Sequence, residues 1–218
     1  MNVKVKICCI SSIQEAKWAM EAGASALGLV AKMPSGPGPI ADELIYQIAQ
    51  TVPSSIDTFM LTSETSAKSI IEHHYRTSTN TLQIVDALAE GTYQEIKQAL
   101  PSIKIVQVIH VVDESSIEEA LNIAPMVDAL LLDSGNPKAA IKELGGTGRT
   151  HNWALSKKIV AQTEVPVFLA GGLHSDNVLE ALDYVQPYGV DLCSSVRTNG
   201  NLDPIKLDHF FNTVAAWK

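Results

Sequence analysis

A chain of 218 residues with 46% apolar and 18% charged residues can bury a sizeable core and carries too much apolar surface for intrinsic disorder. Its net charge is -8 and no basic run stands out, which argues against nucleic-acid binding; no apolar stretch reaches the roughly 18 residues of a membrane span. Three cysteines, two of them adjacent, form no disulfide framework, and together with an N-terminus that shows no secretory apolar region they point to a reducing, cytoplasmic setting.

Short β-branched runs alternate with amphipathic segments along the chain. The pattern predicts strands over 3–8, 25–30, 56–61, 81–85, 104–109, 127–132, 165–169 and 189–192. It predicts helices over 12–22, 41–51, 65–75, 92–100, 115–124, 153–162, 175–185 and 204–215. Ser12, Asp42, Ser115, Ser175 and Asp203 stand just before or within a first helical turn, as N-caps do. Gly23 closes the first helix, and Pro204 suits the first turn of the last. Eight strand–helix units at about 27 residues each make a compact α/β chain, expected to be a single (β/α)8 TIM barrel over residues 1–218. An open doubly wound sheet shares the alternation. The barrel is preferred because functional residue types follow strands 1, 6, 7 and 8, whose ends meet at one barrel mouth.

The first strand runs into Cys8 and Cys9. With a side-chain period of two, Lys4, Lys6 and Cys8 share the face toward the barrel interior, while Val3, Val5, Ile7 and Cys9 share the face under the helices. Cys8 is then the topmost inward residue, either a reactive thiol or a buried one, and Cys9 a small buried hydrophobe. The sixth strand delivers Asp133, which serves either as an acid at the mouth or as a cap of the turn Ser134-Gly135-Asn136-Pro137. Gly171-Gly172 follows strand 7 and Ser194-Ser195 follows strand 8, the two loops that form the usual phosphate cradle of such barrels. His73 and His74 lie in a polar helical stretch and read as solvated; His110 ends strand 5 near the mouth; Trp153 packs a helix start; His151 and His174 are loop residues without an evident partner. No His, Cys and carboxylate set has metal-ligand spacing, and no dinucleotide or P-loop glycine pattern is present. A thiol, a carboxylate and a phosphate cradle suggest isomerisation of a sugar phosphate.

Taken together, Lys6-Ile7-Cys8, Leu131-Leu132-Asp133, Gly145-Gly146-Thr147-Gly148 with Trp153, Ala170-Gly171-Gly172-Leu173 with Asn177-Val178, and Val190-Asp191 followed by serines resemble the phosphoribosylanthranilate isomerase family, in its order and spacing. The resemblance implies a cofactor-free (β/α)8 barrel that performs an Amadori rearrangement of a phosphoribosyl-amine in tryptophan biosynthesis. It implies Cys8 as general base and Asp133 as general acid, with Lys6, Gly146, Gly148, Gly171, Gly172, Asp191, Ser194 and Ser195 around the substrate and its phosphate. The implied partner is a small phosphosugar, with no nucleic acid or membrane, and the chain is a monomer or homodimer. The acid must hold a proton near neutral pH, which burial favours, and the base needs a nearby positive charge, for which Lys6 is a source.

Three departures bear on specificity. The loop after strand 2, Met33-Pro34-Ser35-Gly36-Pro37-Gly38-Pro39, lacks the family's arginine for the anthranilate carboxylate. Strand 4 ends Gln83-Ile84-Val85-Asp86 without the family's histidine, and Cys193-Ser194-Ser195-Val196-Arg197 replaces a Ser-Ser-Gly-Val-Glu run. Arg197 is a candidate replacement for the missing arginine. A relative acting on a different phosphoribosyl-amine, and a non-catalytic phosphosugar-binding barrel, remain alternative readings.

Overall fold

Alternating strands and helices leave each strand with one face to bury against helices and one to bury against other strands, and a closed barrel satisfies both. The computed structural model describes residues 3–136 and 148–217. In chain order the elements are β1 (Lys4–Ile7), α1 (Ile13–Ala22), β2 (Ala26–Val30), α2 (Asp42–Thr51), β3 (Asp57–Thr62), α3 (Ala67–Thr77) and β4 (Thr81–Ile84). There follow α4 (Tyr93–Ala99), β5 (Lys104–His110), α5 (Ser115–Ile123), β6 (Ala129–Asp133), α6 (Trp153–Gln162), β7 (Val167–Leu169), α7 (Val178–Val185) and β8 (Gly189–Leu192). A two-stranded hairpin, β9 (Arg197–Thr198) and β10 (Asn201–Leu202), precedes α8 (Pro204–Ala215). Strands β1 to β8 are hydrogen-bonded in sequence order and close on themselves, with Lys6 opposite Asp191 where β8 meets β1. Among the described residues no helix is long and apolar enough to cross a membrane.

The period of two sorts the strand residues into two cores. Val5, Ile7, Leu27, Leu29, Leu130 and Leu132 face the helices and pack with them. Val30, Phe59, Leu61, Val106, Leu131 and Phe168 fill the interior together with Cys8. Lys6 is fully buried in that interior, its ammonium 2.9 Å from Asp191 and 5.2 Å above the Phe59 ring. Gly28 makes room for this layer, because a Cβ there would lie 2.7 Å from the Cys8 sulfur and 3.0 Å from Lys6 Nζ.

Helix starts follow local chemistry. Ser12 and Asp203 cap α1 and α8 through their side chains, and Gly23 ends α1 at φ 109°. Thr92 and Glu95 add a reciprocal capping box at α4, which the sequence pattern alone had not singled out. The seventh helix begins at Val178, three residues after the expected start, with Asn177 rather than Ser175 at its N-cap position. Asn177 Oδ1 accepts from the His174 amide at 2.8 Å, and its Nδ2 donates to the Gly172 carbonyl at 3.0 Å.

The expectation that His73 and His74 are solvated is corrected. Both are buried on the inner face of α3. His73 bridges Thr62 Oγ1 at 3.1 Å and Asp42 Oδ1 at 3.0 Å, and Asp42 also accepts from Arg76 at 2.8 Å. His74 reaches the Thr79 carbonyl at 2.8 Å. These partners lie on β3, α2 and the turn after α3, so the apparently polar face of the helix is inward; His73 is bonded at both ring nitrogens, while His74 Nδ1 has no hydrogen-bond partner among the described residues.

Arg197 and Glu15 form a buried ion pair at the upper end of β1. Both side chains are almost wholly buried and 3.1 Å apart. Glu15 also accepts from the backbone amides of Ser11 at 2.9 Å and Leu202 at 2.8 Å. Burial would raise its carboxyl, but those amides and the Arg197 guanidinium outweigh it and hold the group below the usual carboxylate range. Arg197 Nη2 donates to the carbonyls of Cys8 and Cys9. Replacing Arg197 by Met strands a buried carboxylate, and the expected cost is about 3–5 kcal/mol of unfolding free energy, measured by urea titration at neutral pH. The cost shrinks as pH falls, because without Arg197 the Glu15 carboxyl takes up its proton at a higher pH than in the parent, and protonation removes the stranded charge. A loss under about 1 kcal/mol at pH 7 would show that the pair is a surface-type bridge.

Candidate active site

One cleft opens at the C-terminal ends of the barrel strands, the face on which barrel enzymes place their chemistry. Cys8 and Asp133 both line it, from β1 and β6. So do Gly148, Gly171, Gly172, Asp191 and Ser194. Lys6 sits one layer below, engaged with Asp191, and does not line the cleft. Ser195 also lies back from it, in the short helical turn after β8, with its buried hydroxyl lacking a hydrogen-bond partner among the described residues. Gly146, expected at the phosphate end, lies outside the described residues.

Cys8 is buried on the inward face as the strand period requires. Cys9 departs from its expected place under the helices. It is buried, but it lines the cleft beside Cys8 rather than facing away from it. The regular strand ends at Ile7, and Cys9 takes a left-handed backbone at φ 63°, which breaks the alternation and turns its side chain inward. Its sulfur lies 2.7 Å from that of Cys193.

The charges of the cleft floor act on one another. Burial works against the Lys6 ammonium, yet Asp191 and the neighbouring sulfur of Cys8 outweigh it and hold Lys6 above the ordinary lysine range. Burial pushes Asp191 up, Lys6 pulls it back, and repulsion from Asp133 adds to the rise. Asp133 is buried at the end of β6, and its Oδ1 accepts from the Ser134 amide at 2.7 Å.

The glycine turn after β7 is the most constrained part of the cleft. Gly172 has φ 63°, and a Cβ there would lie 2.6 Å from the Thr150 amide nitrogen, so the position admits only glycine without a backbone shift. Asn177 fixes the carbonyl of the same residue, as described above, which leaves the turn's backbone held on both sides.

Two features in or behind the cleft, Gln83 and His151, escaped the sequence reading. Gln83 lines the cleft, almost fully buried, with its Oε1 unpartnered among the described residues; its inward place follows from the alternation Thr81, Gln83, Val85. His151 lies behind Gly171 and donates or accepts at Ser156 Oγ, 2.6 Å away. Burial pushes His151 down to about 4 in spite of the nearby Asp133 charge, so its imidazole is neutral at pH 7. Met33, Ser35, Gly36 and Pro37 of the loop after β2 form the cleft's other wall. Arg197, the candidate replacement for the missing arginine, is committed to Glu15 and to the β1 carbonyls and does not line the cleft. His110 likewise spends its Nε2 on the Val85 carbonyl at 2.9 Å. Among the described residues no group of three or more His, Cys, Asp or Glu side chains is placed to hold a metal ion.

The sequence matches the family model described as N-(5'-phosphoribosyl)anthranilate (PRA) isomerase over residues 5–213. It is 32% identical to the N-(5'-phosphoribosyl)anthranilate isomerase of Methanosarcina acetivorans, over 98% of this chain and 94% of that one. It is also 32% identical to the protein of that name from Nostoc punctiforme, over 98% and 99%. Among solved structures, phosphoribosyl anthranilate isomerase from Thermotoga maritima superposes with a TM-score of 0.80 at 26% identity, covering 98% of both chains.

Proposed function

The chain belongs to the N-(5'-phosphoribosyl)anthranilate isomerase family, and on that premise we propose that it converts N-(5'-phosphoribosyl)anthranilate to the 1-deoxyribulose 5-phosphate aminoketose, with Asp133 as general acid and Cys8 as general base. The observation that carries the reading is the meeting of a thiol, a carboxylate and a glycine turn in one cleft, from β1, β6 and β7. In this reading residues 1–218 form one barrel domain of a cytoplasmic protein, a monomer or homodimer that takes a small phosphosugar and no nucleic acid.

The reaction begins when the carboxylic acid of Asp133 gives its proton to the ribose ring oxygen. The C1–O bond breaks and the anilino nitrogen's lone pair forms the C1=N bond of a protonated Schiff base. Cys8, as thiolate, then removes the C2 proton; the C2–H electrons form C1=C2 and the C=N electrons return to nitrogen, giving the enolamine. Tautomerisation of that enol to the C2 ketone completes the rearrangement. Lys6 supplies a fixed positive charge one layer beneath Cys8, and its bond to Asp191 holds that charge in place. A direct assay tests the reading: loss of the fluorescence of phosphoribosylanthranilate on addition of the protein. No turnover with this substrate, from a folded sample, would reject it.

The substrate phosphate is expected on the backbone amides of the Gly171-Gly172 turn and the Ser194 turn, where glycine permits close approach. A crystal structure grown in sulfate checks this. An anion seated elsewhere in the cleft with these turns empty counts against the assignment.

The altered wall after β2 favours weak recognition of the anthranilate carboxylate. A bidentate arginine contributes about 1.5–3 kcal/mol as charge-assisted hydrogen bonds, and no arginine lines this cleft among the described residues. KM for phosphoribosylanthranilate is therefore expected to be about tenfold or more above that of an arginine-bearing relative. Ser35→Arg is expected to recover part of the difference, since Ser35 already lines the cleft. Gly36 is the poorer position, because its φ of 101° strains any L side chain. A low-micromolar KM in the parent would show that another group holds the carboxylate. Efficient turnover of a phosphoribosyl-amine lacking that carboxylate would favour the reading of a relative with a different amine.

A further inference from the structure

The family reaction needs one thiol, and this cleft holds three. Cys8 is the proposed base. Cys9 and Cys193 have no part in that chemistry, yet their sulfurs are 2.7 Å apart across 184 residues of chain. They stand on either side of the barrel seam: Cys9 just past the end of β1, Cys193 just past the end of β8, the two strands whose pairing closes the barrel. All three cysteines are unbridged, and Cys193 is the partly exposed one of the three. We propose that Cys9 and Cys193 are a reversible dithiol modification site, which a low-molecular-weight disulfide oxidises to an intramolecular bond that staples the first barrel strand to the last.

The geometry asks for little movement. A disulfide bond is about 2.05 Å long, so the two sulfurs need approach by only some 0.7 Å from their 2.7 Å separation. The left-handed turn at Cys9 has already swung its side chain toward the seam. The two thiols also differ in role. The hydrogen bond with Cys9 favours the Cys193 thiolate, burial opposes it, and the Arg197 charge adds to the favourable side, so Cys193 lies below the ordinary thiol range. The bonds with Cys193 and Cys8, together with burial, push Cys9 up. Cys193, the partly exposed sulfur, is thus the attacking one and the buried Cys9 the resolving one.

The exchange balances without further reagents. The Cys193 thiolate attacks one sulfur of oxidised glutathione, the glutathione S–S bond breaks, and one glutathione thiolate leaves. Cys9 then gives up its proton and attacks the Cys193 sulfur of the mixed disulfide, expelling the second glutathione thiolate. Two protein thiols are oxidised to one disulfide, and one glutathione disulfide is reduced to two thiols.

The test uses the full chain incubated with oxidised glutathione, quenched by acid and read by intact mass, peptide mapping and urea titration. Independence from the isomerase reading is built in, because none of these measures turnover. The expected product is two hydrogens lighter than the reduced chain, carries no glutathione, and yields a peptide pair linked through Cys9 and Cys193. Thiols titratable after denaturation fall from three to one, and dithiothreitol restores all three. The unfolding constant of the oxidised form at neutral pH is expected to be at least about tenfold smaller than that of the reduced form. Cys8→Ala is expected to form the same linkage, and Cys193→Ser to form none between Cys9 and a distant residue. A Cys8–Cys9 linkage, a stable glutathione adduct on Cys193 without ring closure, or an oxidised form no harder to unfold than the reduced one would overturn the proposal.

Discussion

Replacing Cys8 by serine is expected to lower kcat for phosphoribosylanthranilate by about 10²–10⁴-fold, the usual contribution of a positioned proton-transfer group. A hydroxyl in place of the thiol keeps the volume and the buried position at the end of β1 but has far too weak an acidity to supply the anion. The substrate's phosphate end is untouched by the change, so KM is expected to stay within about tenfold. Lys6 gives a second arm to the test. Its ammonium lies one layer beneath Cys8 and is paired with Asp191, so its removal would leave an unpaired buried carboxylate as well as a less polarised base. A Cys8 variant with parental turnover would remove the thiol from the mechanism and leave Cys8 as a packing residue of the barrel interior.

Asp133→Asn is the other large effect expected. The amide preserves shape and still accepts from the Ser134 backbone, whose amide lies 2.7 Å from Oδ1, but it has no proton to transfer to a ring oxygen. Ring opening is the step that should stall, and kcat is expected to fall by about 10²-fold or more with binding within about tenfold. A measurement of the isotope effect at substrate C2 separates the two proton transfers. Where the Asp133→Asn enzyme is limited by ring opening, deuterium at C2 no longer slows it, whereas the Cys8→Ser enzyme remains sensitive. Should kcat survive with only KM raised, Asp133 is a binding or capping residue, the simpler role that its strand-end position and the Ser134 contact also allow.

The two predictions rest on residues whose places the strand period already indicated. Cys8 and Asp133 sit at strand ends, and the inward face of β1 was readable from Lys4, Lys6 and Cys8. The loop after β2 was also readable as arginine-free, which is a statement about composition. The consequences were not readable. Arg197 was a candidate for the carboxylate until its guanidinium was found tied to Glu15, a partner 182 residues away. Gly36 reads as an ordinary loop glycine, and only its φ of 101° makes it an unsuitable site for a new side chain.

The sequence by itself determined the elements and their order. Strand and helix periods, caps such as Ser12 and Asp203, and the closing Gly23 act within a few residues, so they leave a local record. Eight such units leave few ways to bury both faces of every strand, which is why the barrel was legible as well. Tertiary structure decided what lies beyond a regular element or across the seam. Cys9 turns into the cleft because the period of two ceases to hold once the strand ends at Ile7, and a backbone at φ 63° follows no alternation. His73 and His74 look solvated in a polar helix but are buried, with Thr62 and Asp42 on other elements satisfying His73 and the turn after α3 taking the Nε2 of His74. Cys9 and Cys193 come within 2.7 Å only because β8 pairs with β1. Local periodicity carries no information about which distant polar groups will meet; closing the barrel supplies it, and burying a polar side chain costs free energy where that closure provides no partner.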